Sequence, residues 1–474
     1  MNPATINSVE YPLRRLLGSA LCALALLAGA AARAAPESMP ARIHVPVEYY
    51  RLPNGLRVVL SRDSSAPTVT VAVYYHVGFR TEPRDRTGFA HLFEHLMFEE
   101  TTNLPKGEAD KLVNGNGGTG NGSTRFDFTN YYEVVPSNAL EPVLWVEAER
   151  MRGLVLSGTS LQNQKDVVKN EVRVNVLNRP YGAFPWIDLP QAANRNWHNA
   201  HNFYGEFADI DAATLADVRA FYDSYYVPAN AVLVVAGEFE RTPTAVAIER
   251  YFGALPTRAA PPRPDVSEPP QSEPRSASRS DPLAPRPALA FGYHVPARNT
   301  PAWYAFGLID QILLQGEDSR LWQRLVKARG YTDAVEGGIN LLGNMFDDEG
   351  PTLWAGSLVH DAGTSDESIL ADVDAEIARL QTQLVAPAEL ERAITKIRSA
   401  LYDVAGSATR FGLVDLLASF ALFDNDPARI NDLEVQFRRV TPELVRQTAR
   451  EYLATKQRTR LSLAAGRIAP EKKQ

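Results

Sequence analysis

Apolar and polar positions change period repeatedly along this chain. Thr68-Val-Thr-Val-Ala-Val-Tyr-Tyr-His-Val77 and Pro287-Ala-Leu-Ala-Phe-Gly-Tyr-His-Val295 are short runs rich in branched and aromatic residues, which predicts strands. Helical spacing follows each of them. After the first come Phe89, Leu92, Phe93, Leu96, Met97 and Phe98, spread round most of a helix circumference, as in a buried helix. After the second comes Trp303-Tyr-Ala-Phe-Gly-Leu-Ile-Asp-Gln-Ile-Leu313. Val167, Val168 and Val172 predict a further helix that Pro180 stops. A helix-like Glu108–Val113 precedes a glycine run, and Thr124–Thr129 reads as a strand.

The pattern repeats. Tyr-His-Val recurs at 75–77 and 293–295, and each half closes on a helix and a strand ending in Ala-Gly, at 236–237 and 465–466. Two distant copies of one unit are expected, with His76 and His294 as strand residues rather than ligands because both copies carry them. Between the copies, residues 256–285 hold nine prolines and no hydrophobic period, which predicts an extended linker. The expected lobes are therefore 45–255 and 286–470, each of sheets faced by helices in an α+β or α/β layering.

The N-terminus alters the expected compartment. Arg14-Arg15, an apolar run from Leu16 to Ala32 and the small-residue exit Ala32-Arg33-Ala34 describe a secretory leader over residues 1–34, so the chain is expected to be exported, most simply to a periplasm. The only cysteine, Cys22, lies in that leader, so a mature chain offers no thiolate to a metal and no disulfide. The 49 Lys and Arg against 56 Asp and Glu give −7, and loss of Arg14, Arg15, Arg33 and Glu10 takes it to −9. That balance argues against a nucleic-acid partner, and no later segment is long and apolar enough to span a membrane.

Chemistry concentrates at His91-Leu-Phe-Glu-His95. Two imidazoles four apart and a carboxylate three after the first share one helix face, which suits two metal ligands with a proton carrier beside them. Read alone, the pentapeptide leaves two options open: a metal site, or two core histidines satisfied by backbone carbonyls. A third donor is needed, because catalytic zinc usually takes three protein ligands and keeps one open position. Glu171, beside the valine stripe, is the candidate, against the alternative of a solvated helix glutamate. Gly115-Asn-Gly-Gly-Thr-Gly120 matches GxGxxG, but a helix precedes it and a strand follows, the wrong order for a dinucleotide.

HxxEH, followed 76 positions after its second histidine by a glutamate in Val-Val-x-x-Glu, resembles the pitrilysin family of inverted zinc peptidases, which includes insulin-degrading enzyme and the mitochondrial processing peptidase. The resemblance extends through Glu82, Thr87-Gly88-Phe-Ala-His91, Asn121-Gly-Ser-Thr124, Asn130-Tyr-Tyr132, Tyr226 and Ser319-Arg-Leu321. It implies an α+β fold of two homologous lobes, each a mainly antiparallel sheet covered by helices, together half of a clamshell. It further implies one Zn2+ held by His91, His95 and Glu171, Glu94 as general base, and Asn121, Gly122 and Ser123 on an edge strand that receives the substrate.

Two departures from the family pattern stand out. Gln164 occupies a position, seven before the ligand, where active members carry glutamate; an amide there can orient a neighbour without supplying charge. In the second half, ungapped alignment puts Val326 and Asp333 where an Arg/Tyr substrate grip is expected, while Arg324 and Tyr331 lie two positions early. Arg398 falls where Glu171 would be, so the second lobe is expected to bind no zinc. The expected enzyme is a zinc endopeptidase for short or unfolded peptides, its Arg/Tyr grip supplied by a zinc-free homologous subunit, unless the chain is a homo-oligomer. A non-catalytic scaffold or a peptide-binding subunit is the alternative.

Overall fold

Two mixed sheets organise residues 44–466, the part of the chain that this computed structural model describes. The leader expectation, with Cys22, lies outside the described residues. In the first lobe β1 (Glu48–Arg51), β2 (Arg57–Arg62), β3 (Thr68–Tyr75), β4 (Thr119–Thr124), β5 (Thr129–Pro136) and β6 (Ala231–Gly237) line up as β1-β2-β6-β3-β5-β4. In the second, β7 (Arg275–Asp281), β8 (Ala288–His294), β9 (Glu336–Ile339), β10 (Leu353–Val359) and β11 (Thr459–Ala465) line up as β7-β11-β8-β10-β9. All neighbours are antiparallel except β2 with β6 and β7 with β11. The two orders superimpose if β2 corresponds to β7, with β1 an extra strand. The fold is α+β, two sheets covered by helices.

Burial explains why β3 and β6 read as near-continuous apolar runs. Val71, Val73, Tyr75, Leu233 and Val235 pack under the first lobe's own helices. The alternate residues Ala72, Tyr74, Val232 and Val234 join a core shared with the second lobe, including Leu416, Leu417 and Phe420. A sheet covered on both faces has no polar side to alternate with. Buried and part-buried polar bonds cross the same seam. Arg57 Nη1 donates to the carbonyls of Ala421 and Leu422 at 3.1 and 3.0 Å, Arg410 Nε to Asp63 Oδ2 at 3.0 Å, and Tyr74 Oη to Asp415 Oδ1 at 2.8 Å.

Three local expectations change. Residues 275–281, read as part of the linker, form β7; the stretch is polar because β7 is an edge strand with β11 as its one partner, whereas its counterpart β2 is roofed by β1. Thr124–Thr129 is a turn joining β4 to β5, while Asn121, Gly122 and Ser123 do lie on an edge strand, β4, which begins at the end of the glycine run. Val168 and Val172 are buried but Val167 is 46% exposed, so the valine stripe is narrower than its spacing suggested. Among the described residues no single helix is long and apolar enough to cross a membrane.

Candidate metal centre

The motif residues occupy the helix Phe89–Leu96, whose entry is built by neighbours rather than by its own cap. Gly88 precedes it at φ 82°, a conformation that favours glycine, and a Cβ there would lie 2.7 Å from the Tyr204 carbonyl. Glu82, fully buried, accepts hydrogen bonds from the Gly88 and Ala90 N–H groups at 2.9 and 2.8 Å. A carboxylate at a helix N-terminus satisfies unpaired donors and meets the positive end of the dipole. Burial pushes the Glu82 carboxyl up, opposed by His201, whose Nε2 lies 3.2 Å away.

Glu171 comes from the helix Gly158–Val172, started by a Ser157–Ser160 capping box and packed against the motif helix. The crossing brings three donors together. His91 Nε2 and His95 Nε2 are 3.3 Å apart, His91 Nε2 lies 3.5 Å from Glu171 Oε1, and His95 Nε2 lies 3.1 Å from Glu171 Oε2. Hydrogen bonds from His91 and His95 hold the Glu171 carboxyl well below the usual carboxylate range, against a smaller opposing effect of burial. A tetrahedral ion with bonds of about 2.0–2.1 Å needs ligand atoms roughly 3.3–3.4 Å apart. The three separations lie around that value, with the two histidines facing different oxygens of Glu171. These three are the only such group of His, Cys, Asp or Glu donors among the described residues.

Glu94 sits beside the triangle without belonging to it. Its Oε2 accepts from Thr124 Oγ1 at 2.7 Å, which turns the carboxylate toward the end of β4. Gly122 on the same strand leaves room for it, since a Cβ there would lie 3.2 Å from Glu94 Cγ. β4 is an edge strand, so one row of its backbone groups has no strand partner. Asn121 is exposed, while Ser123 Oγ donates to Asn130 Oδ1 at 2.5 Å. His91, Glu94, Glu171, Ser123 and Thr124 share an open cleft of about 310 Å³ with Phe79, Trp186, Tyr204 and Leu342.

Two site residues escaped the sequence reading, and the expected neighbour Gln164 bonds another carboxylate, Glu99. Thr124 was quoted only as part of a motif, although it holds Glu94. Tyr204 lies edge-on to the His91 ring at 4.9 Å, with its hydroxyl 3.5 Å from Glu171 Oε1. Burial and the nearby carboxylates push that hydroxyl up to about 12. No spacing rule connects position 204 to 91 or 171. Gln164 donates to Glu99 Oε1 at 2.5 Å. His76 and His294 bond Glu349 and Asn194, at 3.0 and 2.8 Å. In the second lobe Arg324 Nε bonds Asp372 at 2.7 Å and Val326 packs on the core, so neither offers a grip to the cleft. Arg398 lies 3.6 Å from Glu434 and over the Tyr402 ring.

Residues 57–183 match the family model for insulinase (peptidase family M16), and residues 212–397 match that for the peptidase M16 inactive domain. The chain belongs to peptidase family M16. It is 29% identical to the zinc protease PqqE of Helicobacter pylori over 461 residues, covering 96% of this chain and 99% of that one. A crystal structure of a protease from Helicobacter pylori superimposes with a TM-score of 0.80 at 26% identity, covering 89% of this M16 chain and 99% of the other. The periplasmic protease PqqL of Escherichia coli shares the fold at a TM-score of 0.71 and 17% identity; the match covers 90% of this chain and 48% of PqqL.

Proposed function

We propose that this M16 chain is a zinc-dependent endopeptidase acting on short or unfolded peptides. The observation that carries the reading is the triangle of His91, His95 and Glu171 donors, sized for a tetrahedral ion, with the Glu94 carboxylate beside it and outside it. Zinc bound there would polarise a scissile carbonyl and bring the pKa of a water toward about 7. Glu94, oriented by Thr124, takes the proton from the attacking water and returns it to the leaving amine. The free edge of β4 holds an extended peptide by main-chain bonds, which asks little of its sequence, while Asn121, Gly122 and Ser123 set its approach to Glu94.

The wider assembly follows the same reading. The lobe carrying the donors is the catalytic one, joined through the proline-rich segment to a metal-free lobe, and a secretory leader delivers the chain to a periplasm. PqqL is about twice as long as this chain, which supports pairing of two such halves into a clamshell. The commitment of Arg324 to Asp372 supports a partner that supplies the Arg/Tyr grip, either a zinc-free homologue or a second copy. A peptide-binding or scaffold role is favoured by the match of the second half to the M16 inactive domain. Peptide hydrolysis by the purified chain, alone and with a homologous partner, before and after chelation and zinc return, separates these readings. Turnover that vanishes on chelation and returns with zinc supports the enzyme; bound zinc without cleavage in any pairing rejects it.

A further inference from the structure

Position 164 is where the family resemblance expects a charged neighbour of the ligand set, yet Gln164 serves another contact. Glu99 Oε1, which receives its amide, also receives Lys106 Nζ at 2.6 Å. The Glu99 side chain is 5% exposed, so a second carboxylate at 164 would face a buried like charge. The amide suits Glu99, and the ligand set needs its support from elsewhere.

Tyr204 is in position to give it. Its ring covers one side of His91 and its hydroxyl is the closest side-chain donor to Glu171 outside the two histidines. His91 Nδ1 is buried and makes no hydrogen bond, so no bond at its far nitrogen fixes that ring. Metal-bound imidazoles are usually oriented by such a bond. Here packing against Tyr204 takes over that task.

Tyr204 is itself anchored to the start of the motif helix. Its N–H donates to Asn202 Oδ1 at 3.2 Å, and Trp186 packs edge-on against its ring at 5.3 Å. Gly205, at φ 77°, lies so close to Gly88 that a Cβ would fall 2.4 Å from the Gly88 nitrogen. His201 Nδ1 faces the Trp197 carbonyl at 3.1 Å, an acceptor, so that nitrogen carries the proton; Nε2 meets Glu82, which caps the helix. The turn at 201–205 is thus packed against and bonded to the start of the helix that carries His91 and His95.

We propose that Tyr204 is the positioning residue of the metal centre, fixing the His91 ring by packing and the Glu171 carboxylate by its hydroxyl, in place of any support from position 164. The inference rests on the zinc reading above. It is tested by zinc dissociation constants from chelator competition on wild type, Tyr204→Phe, Tyr204→Ala and Gln164→Ala, with folding followed by circular dichroism. Loss of an outer hydrogen-bond partner typically weakens metal binding about 10–100-fold. Tyr204→Phe is expected at about the lower end of that range, Tyr204→Ala beyond it, and Gln164→Ala within about twofold of wild type. Because Tyr204→Phe keeps the ring, the hydroxyl remains testable even if Tyr204→Ala unfolds. Wild-type affinity in Tyr204→Phe, or an equal loss in Gln164→Ala, would overturn the assignment. A folded wild type that takes up no zinc would reject the metal reading, and this inference with it.

Discussion

In the first lobe two crossing helices bring three metal-capable donors to an edge strand; in the second the same arrangement brings one buried carboxyl, Asp310, and one cation, Lys396. The helix Pro301–Leu313 stands where the motif helix does, Pro387–Gly406 where the ligand helix does, and β9 where β4 does. A cavity of about 380 Å³ persists there, bordered by Gly337 and Gly338 of β9. Its chemistry is different. Asp310 Oδ1 accepts from Trp354 Nε1 at 2.8 Å and from Gln315 at 3.2 Å, while Lys396 Nζ donates to the Gln315 carbonyl at 2.8 Å. The architecture supplies a cleft beside a free strand edge in both lobes, and a few side chains decide whether that cleft can take a cation.

Exchanging the deciding side chains should give the largest contrast. His95→Ala or Glu171→Ala is expected to abolish stoichiometric zinc, measured by atomic absorption, and to reduce peptide turnover by roughly a thousandfold or more. Lys396→Ala in the second lobe should change neither by more than about twofold. Comparable losses from both lobes would dissolve the distinction between them.

A smaller effect is expected from the edge strand. Gly122→Ala would put a methyl 3.2 Å from both Glu94 Cγ and the Asn130 carbonyl, so Glu94 must yield by a few tenths of an ångström. Displacements of about 1 Å cost roughly a hundredfold, so kcat/KM should fall only about three- to tenfold, with zinc content unchanged. An unaltered kcat/KM would mean that Glu94 has slack at this position.

The smallest effect concerns stability in the second lobe. Burial raises the Asp310 carboxyl from 3.8 to about 6. Its ionisation therefore penalises the fold increasingly as pH climbs from about 4 to 6, and fully above that. Asp310→Asn keeps an oxygen acceptor for Trp354 and removes the charge. It should stabilise the protein by up to about 3 kcal/mol at pH 8 and by nothing near pH 3.5, read from urea unfolding at both values. A gain that does not change with pH would exclude ionisation as its cause.

Much of this was legible along the chain because it is periodic or spaced. β3 and β8, the motif helix and the helix after β8 follow from apolar runs, and the grouping of His91, His95 and Glu171 was implied by the family resemblance that HxxEH and the later glutamate carry. What stayed hidden depends on tertiary context. β7 is polar because it ends a sheet, which only the strand order reveals. The limits of β4, though not the edge strand at 121–123 that the family resemblance implied, are set by its register with β5, because glycines disfavour a strand by propensity. Tyr204 reaches His91 through a turn whose approach to Gly88 is a contact between distant segments. Leu342 enters the cleft from the other lobe, on a loop pinned where Asp127 accepts the N–H groups of Glu349 and Gly350 at 2.9 and 3.3 Å.

The most direct test of the metal centre compares wild type with Glu94→Gln for zinc content and peptide hydrolysis on the same preparations. Glu94 lies outside the donor triangle, so the variant should retain one zinc per chain while turnover falls by about 10²–10⁴. Undiminished hydrolysis in Glu94→Gln, or loss of zinc together with activity, would contradict the division of roles between Glu94 and His91, His95 and Glu171.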